Sequence, residues 1–97
     1  MLDVNNVNNM FIMSGGFVIM RGEQIRAARA LLKWSGRRLS ESSGVSYPTI
    51  QRLESRDGPI GGLAETGAKI RAALEAAGVE FTNGNAPGVR LRPRGDV

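Results

Sequence analysis

Residues 39–54 read LSESSGVSYPTIQRLE, and two helix boundaries are written into them. Gly44 suits the left-handed backbone that ends a helix, and Ser46 offers a hydroxyl to cap the next, so the stretch spells a short helix, a tight angled turn and a second short helix. Pro48 falls in the first turn of that second helix, where the amide it lacks has no intrahelical partner. Ile50 and Leu53, three apart, set the buried face of the helix from Tyr47 to about Ser55. Stepping about 100° per residue turns Pro48, Gln51, Arg52 and Ser55 to the opposite side, with Tyr47 at the exposed N-terminal tip. A helix of barely two turns, backed by its neighbour and presenting an arginine on a polar face, fits the major groove of DNA. Its free N-terminal amides suit a phosphate.

Working outward, Ser35 caps the preceding helix, which runs from about Gly36 to Ser43 with Leu39 facing inward. Upstream, EQIRAARALLK, residues 23–33, places Ile25, Ala28 and Leu32 on one stripe and reads as a helix. Trp34 then plugs the turn between the two. Downstream, RDGPIGG, residues 56–62, is a loop, followed by a helix from about Leu63 to Ala77 whose apolar stripe is Leu63, Ile70 and Leu74. VEFT, residues 79–82, and VRLR, residues 89–92, alternate with period two around the turn chemistry of NGNAPG and predict a β-hairpin.

Residues 1–19, MLDVNNVNNMFIMSGGFVI, have no helical period and read as a flexible N-terminal arm, its short apolar pieces at 10–13 and 17–20 able to dock as strands. Neither piece is long enough to cross a membrane, and Asp3 stands where a signal peptide would be positive. A cytoplasmic protein is expected, with residues 1–19 as arm, 20–78 as the helical domain and 79–97 as hairpin and tail.

The composition narrows the function. The 97 residues are 41% hydrophobic and 23% charged, with no cysteine and no histidine. Thiol chemistry, cysteine cages for metals and the commonest general base are excluded, so no enzyme, no metal and no cofactor are expected. Thirteen Lys+Arg against nine Asp+Glu give +4. Lys33 and Lys69 are the only lysines. Arginine's planar fork suits phosphate and guanine edges, which favours nucleic acid as the partner.

Over about residues 23–77 the chain resembles the helix-turn-helix regulators of the lambda-repressor and Cro type, the XRE-like family. Leu39, Ser40, Gly44, Val45, Ser46, Ile50 and Leu53 stand where that family places such residues, and Arg29 and Glu54 occupy positions at which many members carry a structural ion pair. The resemblance implies a mainly α domain of four to five helices, here with a C-terminal β-hairpin. It also implies a sequence-specific, dimeric transcriptional regulator, repressor or activator, similar to the control proteins of phages and mobile elements.

The chain departs from the pattern at Gly36, Arg37 and Arg38, where members usually have a glutamine followed by acidic residues. Cations there oppose the helix dipole by ~0.3–1 kcal/mol each. That loss is accounted for if both arginines face phosphate, the plain alternative being that they point to water.

The expected base contacts are therefore Tyr47, Pro48, Gln51 and Arg52, and the expected phosphate contacts are Ser46, Thr49, Arg37 and Arg38. A homodimer on a two-fold symmetric double-stranded operator follows from the few base pairs one short helix can read. Val79, Phe81, Val89 and Leu91 of the hairpin are its expected interface, because two isolated strands are marginal in water. On that view a chain cut after Gly78 stays folded and becomes monomeric. From a different class comes a protein-interaction module, an antitoxin or antiactivator gripping a regulatory protein partner with the same helices. Tyr47 and Pro48 keep that reading open, while Gln51 and Arg52 argue against it.

Overall fold

A computed structural model describes residues 20–62, 64–82 and 86–93. The expectations for the arm at 1–19, for Leu63, for the hairpin tip and for the tail beyond 93 lie outside these residues. Four helices run in order, α1 (Gly22–Leu32), α2 (Gly36–Ser43), α3 (Tyr47–Glu54) and α4 (Ala64–Ala76), followed by strands β1 (Val79–Thr82) and β2 (Gly88–Leu91). The mainly helical class with a C-terminal antiparallel hairpin is as the sequence predicts. Among the described residues no helix is long and apolar enough to cross a membrane.

The boundaries follow from local chemistry. Ser35 Oγ accepts the Arg38 N–H at 2.9 Å and so starts α2. Gly44, with φ 79°, ends that helix, its N–H returning to the Ser40 carbonyl at 2.9 Å. Ser40 Oγ donates to the Val45 carbonyl at 2.7 Å, which holds the turn shut and explains a small hydroxyl residue at that site. α1 stops one residue short of expectation because Lys33 takes the left-handed conformation, φ 59°.

One core joins all the elements: Met20, Ile25, Ala28, Leu39, Val45, Ile50, Leu53, Ile70, Leu74 and Val79 are buried, with Leu32, Trp34, Ile60, Phe81 and Val89 packed against them. The predicted stripes are all represented in it. Burying such side chains is the main favourable contribution in a domain this small, about 1.5–3 kcal/mol for each large aliphatic.

α1 is stapled to the loop that follows α3. Gly22 N–H donates to the Gly58 carbonyl at 2.9 Å, the Ile60 N–H donates to the Met20 carbonyl at 2.9 Å, and Arg21 forms a β-bridge with Pro59. Arg26 adds an ion pair to Asp57 and donates to the Glu54 carbonyl. The backbones approach so closely that a Cβ on Gly22 would lie 2.1 Å from the Arg56 carbonyl oxygen and 2.7 Å from that of Leu53.

The hairpin corrects the expectation drawn for it. Val79 is 0% exposed and belongs to the core, so it is spent inside the protomer and offers nothing to a partner surface. Phe81 and Val89 are half-buried against that core, and Leu91, on the same face opposite Val79, is left 43% exposed at its margin. Gln24, buried on α1, donates from Nε2 to the carbonyls of Thr82 at 3.0 Å and Gly88 at 3.1 Å, the pair that closes the described ladder. Its Oε1 accepts the Arg21 N–H at 2.8 Å. The hairpin is thus a wall of the domain. A chain cut after Gly78 would lose core as well as edge, contrary to the view of it as a detachable dimerisation element.

Candidate nucleic-acid interface

The side chains singled out in the sequence lie on α2 and α3, and the Tyr47 ring at the start of α3 reaches back to Gly36 at the start of α2. Pro48, Gln51, Arg52 and Ser55 are exposed, as the helical spacing requires, while Ile50 and Leu53 face the core. Among the described residues the Arg52 guanidinium has neither an ion-pair nor a hydrogen-bond partner. Ser46 Oγ accepts the Thr49 N–H at 3.4 Å and donates to Thr49 Oγ1 at 2.9 Å, so both hydroxyls already serve the cap of α3. The Thr49 O–H donates to nothing among the described residues and is left for an anion at a helix N-terminus that favours one.

Tyr47 lies elsewhere than expected. Its ring is half-buried, not free at the tip. A Cβ on Gly36 would sit 2.8 Å from ring atom Cε1, so the ring occupies the space a side chain at position 36 would need. The Arg37 guanidinium stacks over the same ring at 4.4 Å from its centroid, and Gln51 Nε2 donates to the Tyr47 hydroxyl at 3.2 Å. Arg38 stacks in the same way over Trp34, at 4.8 Å, and its Nε donates to Ser42 Oγ at 3.3 Å. Both arginines are exposed, and each is held by an aromatic face. Cation–π stacking of this kind contributes about 0.5–1 kcal/mol at exposed sites, which offsets the unfavourable helix-dipole position.

The charge pairing is uneven across the molecule. Acidic side chains are matched to Arg21, Arg26, Arg29, Lys69, Arg71 and Arg90. Those pairs lie on α1 and its N-cap, the last residue of α3, α4, the loop and the hairpin. Arg37, Arg38 and Arg52, on α2 and α3, carry no acidic partner among the described residues, and neither do Lys33, Arg56 and Arg92. The Arg29–Glu54 pair forms behind this face as the resemblance implied, and the Glu54 carboxylate, by hydrogen bonding, raises the Arg29 guanidinium above its already high value. Arg90, by contrast, is taken up by its cross-strand neighbour Glu80 at 2.6 Å.

Three features were missed by sequence reasoning: the Gly36–Tyr47 packing, the close approach at Gly22 and the Gln24 clamp on the hairpin. The first had a signal, since the resemblance puts a glutamine where this chain has Gly36, and the space has to be filled by something else. The other two depend on which backbones meet across the fold, and no local pattern encodes that. No protein-family model matches the chain, and no curated protein sequence matches it.

Proposed function

We propose that this chain is a sequence-specific, dimeric DNA-binding regulator of transcription, a helix-turn-helix protein of the lambda-repressor and Cro type. In this reading α3 enters the major groove, Gln51, Arg52 and Pro48 meet base edges, and Arg37, Arg38, Ser46 and Thr49 meet phosphates. The observation that carries it is a trio of exposed arginines on α2 and α3, Arg37, Arg38 and Arg52, with no carboxylate partner among the described residues, two of them held in place by aromatic rings. Planar guanidinium groups with free N–H edges suit phosphate oxygens and guanine O6 and N7. A homodimer on a two-fold operator fits the short reading helix, with Leu91 and the outer surfaces of Phe81 and Val89 as the contact and Val79 no longer part of it. Whether such a protein represses or activates depends on where its operator lies.

The test is binding to random duplex DNA across a salt series. A regulator of this kind shows a log–log slope that steepens by about 0.9 per phosphate neutralised. A flat dependence sinks the reading and favours a module that grips another protein. Selection of genomic fragments by the purified protein then gives the operator and its symmetry.

A further inference from the structure

We propose that Tyr47 is a positioning residue which, paired with Gly36, fixes Arg37 and Gln51 relative to one another and so couples a phosphate contact to a base contact. The proposal rests on the DNA-binding reading above. Three contacts converge on one ring. Its edge fills the space above Gly36, its face carries the Arg37 guanidinium at 4.4 Å, and its hydroxyl receives the Gln51 amide at 3.2 Å. Stacking engages the face of a guanidinium and leaves its in-plane N–H donors free for phosphate oxygens. The Gln51 amide keeps one N–H and its carbonyl for a base edge. Arg37 and Gln51 are flexible, rotamer-rich chains whose ordering would otherwise be charged against binding, whereas tyrosine has two torsions and is already wedged. Gly36 is what lets the ring sit there, so positions 36 and 47 act as a matched pair.

Two experiments test this, one without DNA. Alanine is the better helix former, so Gly36→Ala should raise the melting temperature in a Tyr47→Ala background and lower it in the parent, where the new Cβ meets the ring. Equal increases in both backgrounds overturn the pairing.

The second is a double-mutant cycle on the selected operator at fixed salt. Arg37→Ala should cost about two- to fivefold in affinity in the parent, where the ring has already ordered the arginine for its phosphate, and much less in the Tyr47→Ala background, where that ordering is charged to binding. Tyr47→Phe keeps the ring and should preserve the Arg37 effect and the salt slope while relaxing preference at the base pair Gln51 reads. Tyr47→Leu, which covers Gly36 without a π face, serves if the alanine variant does not fold, and it should lose the Arg37 effect. Independent effects of Tyr47 and Arg37, or a phenylalanine variant indistinguishable from the leucine one, overturn the coupling alone. A parent that binds no duplex DNA overturns the regulatory reading and the coupling together, while the DNA-free result still decides the pairing.

Discussion

Arg29 holds Glu54 with two arms of its guanidinium, Nε to Oε2 at 2.7 Å and Nη2 to Oε1 at 2.6 Å, and gives its third nitrogen to the Trp34 carbonyl at 2.9 Å. One side chain thereby joins α1, the turn before α2 and the last residue of α3. The pair is shielded, with 24% of the arginine side chain and 10% of the glutamate exposed. Arg29→Ala should therefore cost about 3 kcal/mol, because it strands a nearly buried carboxylate. Urea unfolding measures the loss. Under the proposed function the salt slope of DNA binding should not change, since Arg29 lies behind the exposed face of α3.

Gly22→Ala runs against the usual ranking of helix formers. An alanine there should destabilise by about 2–3 kcal/mol, because its methyl group would overlap the Arg56 and Leu53 carbonyls and force α1 away from α3. A melting temperature equal to or above the parent's would show that the two backbones stand further apart than described.

Gln24→Ala removes the donor shared by two hairpin carbonyls and the acceptor of the Arg21 amide. A loss of about 2–3 kcal/mol is expected from leaving these groups unpaired in a largely dry site. Native-state hydrogen exchange should speed up most in β1 and β2. Uniform acceleration across the domain would instead mean that the hairpin opens only with everything else.

Acid should act through Glu23, whose carboxyl is lowered from 4.5 to about 2, first by the Gly58 N–H, then by its own N–H and the Arg21 side chain. A depressed carboxylate contributes stability that is fully present above its unfolded value and is lost as pH falls through its folded one. The stability difference between the parent and Glu23→Gln should thus be constant above pH 5 and shrink between about 4.5 and 2. A difference unchanged over that window would remove Glu23 from the acid response.

Arg52→Ala should weaken operator binding by ~1–3 kcal/mol and relax preference at one base pair in each half-site. Competitive selection from a randomised operator library reads this directly. If every sequence weakens alike, Arg52 is a phosphate contact and the base-reading role falls to Gln51 and its neighbours.

Most of the architecture was legible because it is written in short range. The Ser35 and Ser46 caps, the Gly44 turn and the spacing of Ile50 and Leu53 each concern residues within one helical turn of each other, and all appear where the periodicity and cap chemistry put them. What was misread lay across the fold. Alternation in VEFT correctly gave a strand with one apolar face but said nothing of what that face meets, and Val79 meets the domain's own core. Tyr47 was assigned to the exposed tip from its helical position alone. Its actual neighbour, Gly36, comes from another helix, and only the packing of α2 on α3 reveals the contact.

The Gln24 clamp also bears on how the chain folds as it is made. The clamp links residues 58 and 64 positions apart, and the core cannot close without Val79. On a ribosome that releases the chain from its N-terminus, α1 to α3 would emerge with a buried amide still unanswered and a hydrophobic wall still missing. The domain should complete itself only after Gly88 has left the exit tunnel, in one late step, so a nascent chain stalled before that point should remain sensitive to protease.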